Sequence, residues 1–282
     1  MESLTERVVR SMIPGRRADQ SKKDFGRLLI MAGQTGMAGA AVLCGKAALR
    51  SGVGLATFYV PSALYPVLQT AVPEATCLER YEAESARTDH FKTCTAFAAG
   101  PGLGHHEEDR SVLLAVMASG SPFVLDADGL NDILRFGLKE PLRSAASASV
   151  LTPHEGEAAR LLGTDRITDR QAAARALVSD FGSVVVLKGH HTLIAAPDGR
   201  MAVNPTGCAA MAKGGSGDVL TGVIGAFLAK GMPAYEAACA GVFLHGRAGD
   251  LSRDALGEES VIARDLIEAL PRAFLSLGPA GA

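Results

Sequence analysis

Along most of this chain, short runs of β-forming residues alternate with longer helical ones, and no other feature restricts the fold so tightly. RLLIMAG (27–33) leads into GAAVLCGKAALRSG (39–52), VGLATFYVP (53–61) follows, and TAFAAG (95–100) leads into EEDRSVLLAVMASG (107–120). PFVLDADG (122–129), SVLTP (149–153) with HEGEAARLLG (154–163), and QAAARALVSDFG (171–182) with SVVVLKG (183–189) continue the series. This rhythm builds an α/β fold: a central, mostly parallel sheet flanked by helices. Val112, Leu113, Val116 and Met117 mark one apolar face, as a helix lying on a sheet requires. The rhythm changes at HTLIAAPDGRMAVNP (191–205), which reads as a hairpin near the sheet edge with a Pro-Asp-Gly-Arg turn. Three helical segments follow Asp218, with breaks at Gly231 to Pro233 and around Gly257.

With 282 residues, 48% of them apolar, and no convincing linker, the chain reads as one domain over 1–282. A net charge of -2 and the absence of any Lys/Arg run longer than two argue against a nucleic-acid partner. Five cysteines without a CxxC fit reduced thiols and a cytoplasmic setting, with no zinc site. No signal peptide or membrane span is expected, since the apolar runs fall well short of about 18 residues.

In open α/β sheets ligands bind beyond the carboxyl ends of the strands, so chemistry is sought in the loops there. NPTGCAAMAKGGSGDVLTG (204–222) holds five of the 32 glycines just before a helix. Gly214, Gly215, Ser216 and Gly217 could turn their backbone N–H groups toward an anion, aided by the helix dipole. Simple capping by Ser216 or Asp218 is the competing reading. The loop is not a Walker A motif, as GxxxxGK[ST] is absent. GPGLGH (100–105) lacks the third glycine of a dinucleotide fingerprint.

KGHHT, Lys188 through Gly189, His190 and His191 to Thr192, follows a strand and could meet nucleotide phosphates or form a structural turn. LTPHEGE (151–157) opens a helix with His154, Glu155 and Glu157 in its first turn, where acids favour the dipole. Glu157 could instead reach a hydrated Mg²⁺, and His154 a substrate hydroxyl or amide. GQTGMAGA (33–40) follows a strand and could let a substrate lie against the backbone.

Together these segments resemble the ADP- or ATP-dependent NAD(P)H-hydrate dehydratases, of the ribokinase-like superfamily. The likeness runs from about Lys23 to the last helices, carried by GQTGMAGAA, GPGLG, LTPHEGEAARLLG, KGHHT and NPTGCAAMAKGGSGDVLTG in that order. Residues 1–25 are then an N-terminal extension, where many relatives carry an epimerase domain. The resemblance implies repair of the S-epimer of NADH or NADPH hydrated at C6, with ADP or ATP as phosphoryl donor and Mg²⁺ as cofactor. It implies a homo-oligomer, a tetramer in similar proteins, working beside a separate epimerase. Ala40, Gly102, Gly104 and His154 match substrate-binding positions, Lys188 to Thr192 and Gly217 match nucleotide-binding ones, and Asp218 matches the catalytic aspartate. Glu157, through water, and Asp126 are the metal candidates. Met37 and Cys208 depart from the family pattern.

Phosphoryl transfer needs a hydroxyl in line, a proton acceptor and stabilised charge. One loop could supply the last two: amides of 214–217 as an anion hole and Asp218 as acceptor. An ordinary carboxylate suffices if the proton leaves late, so a raised pKa is not required. Two rivals remain: a ribokinase-like kinase of a vitamin-precursor alcohol (hydroxymethylpyrimidine or hydroxyethylthiazole type), and a non-catalytic nucleotide sensor.

Overall fold

The computed structural model describes residues 1–278. Among these, ten strands form one sheet. They are β1 (Glu2–Ser3), β2 (Arg27–Met31), β3 (Leu55–Val60), β4 (Thr76–Glu79), β5 (Ala96–Ala99), β6 (Phe123–Leu125), β7 (Ser149–Leu151), β8 (Val184–Leu187), β9 (Leu193–Ala195) and β10 (Met201–Val203). The helices are α1 (Glu6–Met12), α2 (Ala38–Arg50), α3 (Tyr65–Ala71), α4 (Glu84–Phe91), α5 (Asp109–Ala118), α6 (Asp128–Arg135), α7 (Lys139–Arg143), α8 (Glu155–Leu162), α9 (Arg170–Phe181), α10 (Ser216–Ala229), α11 (Ala234–Leu256) and α12 (Ala263–Ser276).

The strand order is β1-β10-β9-β8-β7-β6-β5-β2-β3-β4, parallel except for β9, which runs against both neighbours. Side chains alternate across the pleat. Leu28 and Ile30 face a core shared with α2, α10, α11 and α12, while Leu29 and Met31 face one shared with α5, α6, α8 and α9. Each strand of the middle is therefore buried on both sides, which is why these runs read as continuously apolar. The expected hairpin is β9-β10, near the edge as anticipated.

Two features were not visible in the sequence. The N-terminal segment is part of the fold: β1 pairs with β10, and Leu4 and Val9 are buried. And β4 with α4 extends the other edge from a polar stretch, TCLERYEAESART, that lacks a clean period. The order of strands reverses between β2 and β5, whose chains continue to opposite sides of the sheet. Crevices at such a reversal are where open α/β sheets bind ligands. No helix among the described residues is long and apolar enough to cross a membrane.

Candidate active site

The loops after β2 and β5 meet at the reversal. Gly33 N–H donates to Pro101 O at 2.8 Å, and a Cβ on Gly102 would meet Ala40 Cβ at 3.0 Å and Met37 Cβ at 3.1 Å. Gly102 is also left-handed at φ 57°, so a larger residue there would be both strained and crowded. Met37 lies at the N-terminus of α2 without a side-chain cap, leaving the first-turn N–H groups beside Ala40 free of any side-chain partner. Gly104 N–H donates to Asp128 Oδ2 at 2.9 Å. Ala40, Gly102 and Gly104 thus form one backbone-lined wall.

That wall is braced from behind by Arg80, a residue the sequence did not single out. Fully buried, it donates to Gly33 O at 3.4 Å and Leu103 O at 3.3 Å, one carbonyl from each loop. Its charge is balanced by buried Asp109 at 3.6 Å. Burial still pushes the Asp109 carboxyl upward, with Arg80 pulling against it.

A second group of loops, after β7, β8 and β10, encloses a cavity of ≈ 870 Å³ with the N-terminus of α10 and the middle of α11. His154, Lys188 to Thr192, Gly214, Ser216 and Gly217 line it. His154 therefore lies with the nucleotide-type residues, away from Ala40, Gly102 and Gly104, which do not line this cavity. Its Nδ1 accepts from the N–H groups of Gly156 and Glu157 at 3.0 and 3.2 Å, while Glu157 Oε2 accepts from His154 N–H at 2.7 Å. This is a capping box with histidine in place of serine. The capping reading of that segment holds. It leaves Glu157 nearly buried, 3.5 Å from His154 Nε2 and 3.8 Å from Lys188 Nζ.

For α10 the capping reading fails. The N-cap is Gly215, left-handed at φ 90°, and no side chain caps the helix. Neither Ser216 nor Asp218 satisfies its first N–H groups, so the helix end is open to an anion. Ser216 is held elsewhere: His245 of α11 donates through Nε2 to Ser216 O at 2.9 Å, with Ser216 Oγ at 3.3 Å. Burial pushes the His245 imidazole down to about 4, against the pull of that carbonyl, so it is neutral at physiological pH. Lys213 does not present its ammonium to the cavity alone, since Nζ donates to Glu259 O. Cys208 donates its thiol to Gly249 O at 3.6 Å and packs the loop onto α11.

Beneath Gly217 sits a buried ion pair. Lys188 Nζ is 2.7 Å from Asp126 Oδ1, and Thr221 donates to Asp126 Oδ2 at 2.8 Å. A Cβ on Gly217 would meet Asp126 Oδ2 at 3.3 Å and Lys188 Nζ at 3.5 Å, so loop and pair are in contact. Burial opposes the charge on both partners. The pair wins: Asp126 ends below the ordinary carboxylate range, and Lys188 above its usual value, held up by Asp126 and Glu157. The next residue, Ala127, is strained at φ 49°.

Asp218 stands in the first turn of α10, near enough to Asp126 and Lys188 on one side and to Asp128, the acceptor of Gly104, on the other for their charges to act on it. It does not line the large cavity, and its charge is felt by Cys44 of α2, a thiol pushed up first by burial. Burial, joined by the Asp126 charge and only partly offset by Lys188, raises the Asp218 carboxyl to about 6. The chemistry does not require this shift; burial imposes it first and the Asp126 charge second. Such a group is still mostly ionised at neutral pH and a stronger base than a free aspartate.

The metal candidates fit a bound cation poorly. Both Asp126 oxygens and the Glu157 carboxylate already have protein partners, and among the described residues no group of three or more His, Cys, Asp or Glu could hold a metal ion. Mg²⁺ keeps several waters and rides readily on nucleotide phosphates.

The mostly parallel sheet with helices on both faces has the ribokinase-like fold, shared with its structural neighbours. Within that class the chain belongs to the NAD(P)H-hydrate dehydratase family, whose pattern matches residues 28–272. It is 40% identical over 249 residues to the ADP-dependent (S)-NAD(P)H-hydrate dehydratase of Neisseria meningitidis, covering 86% of this chain and 82% of that one. Its structure superposes with a TM-score of 0.87 and 32% identity on the ADP/ATP-dependent NAD(P)H-hydrate dehydratase of Bacillus subtilis co-crystallized with ATP/Mg²⁺, covering 98% of each. The bifunctional NAD(P)H-hydrate repair enzyme Nnr of Escherichia coli is 39% identical over 91% of this chain, which spans about half of that enzyme's length, 49%.

Proposed function

We propose that this chain is an ADP-dependent (S)-NAD(P)H-hydrate dehydratase, a lyase that restores NADH or NADPH from its hydrate and releases AMP and phosphate. The observation that carries the reading is the uncapped N-terminus of α10 with Asp218 at the seam between a nucleotide-sized cavity and a glycine-walled crevice. The ADP phosphates, with Mg²⁺, lie against Gly214, Gly215, Ser216 and Gly217, next to Lys188 to Thr192. The hydrated ring enters from the side of Ala40, Gly102 and Gly104, and His154 contributes at the rim of the cavity.

Asp218 takes the proton of the C6 hydroxyl as its oxygen attacks the terminal phosphorus of ADP. The P–O bond to AMP breaks, and the amides of 214–217 stabilise the charge on the transferred group. The ring nitrogen's lone pair then expels phosphate from C6, giving an iminium, and loss of a proton from C5 restores the dihydropyridine. Asp126 and Lys188 hold the floor of the anion loop, and burial, joined by the Asp126 charge, keeps Asp218 basic against the pull of Lys188. Glu157 positions His154 and has at most a water-mediated part near Mg²⁺.

The same proposal includes one catalytic unit over 1–282, a cytoplasmic homo-oligomer, and a functional link to epimerisation of the hydrate. A kinase of a vitamin-precursor alcohol would use the same loop but leave a stable phosphate ester. Offering hydrated NADH with ADP and Mg²⁺ separates the readings. Recovery of NADH absorbance with one AMP per NADH is expected; a phosphorylated alcohol made from hydroxyethylthiazole, with no recovery, would overturn it.

A further inference from the structure

α2 and α10 begin at the candidate active site and run on the order of 20 Å away from it. Their far ends, with the segment after α1 and one face of α12, enclose a second hollow of ≈ 510 Å³. Arg10, Arg16, Arg50 and Lys230 all line it, and among the described residues none of its lining is acidic. Arg50 is paired with Glu268 at 3.8 Å, both side chains largely exposed.

The four cations converge from separate parts of the chain. A side chain at Gly52 would meet Arg16 Nη2 at 2.7 Å and Lys230 Nζ at 3.7 Å, so these two lie against the same point. Arg16 donates to Gly52 O at 3.0 Å and Lys230 to Ser51 O at 3.4 Å, capping the end of α2. Capping accounts for one bond from each, whereas Arg carries five N–H donors and Lys three. It accounts for neither the hollow nor Arg10, whose buried Nε has no partner. Stacking holds two of the heads in place: the Arg16 guanidinium lies 4.0 Å from the Phe25 ring centre and Lys230 Nζ 5.1 Å from that of Phe227. Burial, aided by the Arg16 charge, lowers Lys230 to about 8, as expected of cations gathered without an anion.

We infer that this hollow is a second binding site, taking a phosphorylated small molecule whose phosphate or diphosphate group sits among Arg10, Arg16, Arg50 and Lys230. Planar guanidinium forks match phosphate oxygens in pairs, and an open hollow of this size admits a small molecule.

The test is calorimetric titration of inorganic pyrophosphate into the full chain already saturated with ADP, without Mg²⁺, so that the loop before α10 is occupied. One equivalent should still bind. Arg16→Gln and Lys230→Met should each weaken it at least about tenfold, and Glu268→Gln, which removes an acid, should tighten it. Near pH 8 binding should take up protons, because an anion restores the ammonium of Lys230; comparing two buffers of different ionisation heat reads this, and Lys230→Met should abolish it. Absence of pyrophosphate binding, or equal binding in wild type and all three variants, overturns the site. Should ADP fail to bind, the proposed reaction fails separately, and the charge variants still assign any pyrophosphate signal to one hollow or the other.

Discussion

The two sides of the candidate active site are built from different materials. On the side of β8 and β10 the surface carries charge, and each charge is fixed by a partner: Lys188 by Asp126, Glu157 by the α8 cap, Lys213 by Glu259. On the side of β2 and β5 it is backbone, alanine and glycine, with Asp128 holding the Gly104 N–H and the Arg80–Asp109 pair buried behind the wall. A polyphosphate with its cation needs fixed donors and screened repulsion, whereas a flat ring and its ribose need close approach. Asp218 lies where both demands meet, and its carboxyl is raised by burial first and by the Asp126 charge second.

Four substitutions or conditions would break or sharpen that contrast. The largest effect is expected at the seam: Asp218→Asn should lower kcat by about 10³-fold while ADP affinity stays within a few-fold. Turnover near wild type would remove Asp218 as proton acceptor. Next, Arg80→Met should leave Asp109 buried without its partner, cost about 3 kcal/mol in denaturant unfolding, and raise KM for the hydrated cofactor but not the Kd for ADP. Equal loss on both sides would show that the two walls are not independent.

Below these, pH should act through Asp218. Its pKa of about 6 is above the ordinary value, so the ionised form is lost as pH falls through 6. At saturating ADP, kcat/KM for the hydrated substrate should therefore drop about tenfold per unit below that point, which moves higher if nucleotide phosphates add to the repulsion. A flat profile between pH 5 and 7 would contradict this. The smallest effect belongs to His245: His245→Ala leaves Ser216 O without its donor and should cost about tenfold in kcat, with His245→Gln recovering most of it. Burial also holds His245 below its unfolded value, so its contribution to stability is present above about pH 6.5 and is lost as pH falls toward 4. An unfolding midpoint that stays constant across that interval would argue against it.

Much of the charged side was legible in the chain. KGHHT, HEGE and KGGSGD are local patterns in which glycines, a helix start and polar residues lie within a few positions, so their chemistry is written in one place. Arg80 and His245 were not. Each works on a carbonyl far away in the chain, Arg80 on Gly33 and Leu103, His245 on Ser216, and neither stands in a motif. Asp126 was visible only as a weak metal candidate; the fold made it the partner of Lys188, 62 residues on.

By itself, the sequence determined the alternation of strands and helices, the hairpin, the glycine loop before α10 and the family, because these depend on periodicity and on residues close together. Only the tertiary structure decided which capping readings survive, that β1, Leu4, Val9 and Ile13 join the sheet and core, that Asp218 is raised, and that four basic residues gather around a second hollow. Those outcomes depend on burial and on charges brought together by strand order, which no local pattern records.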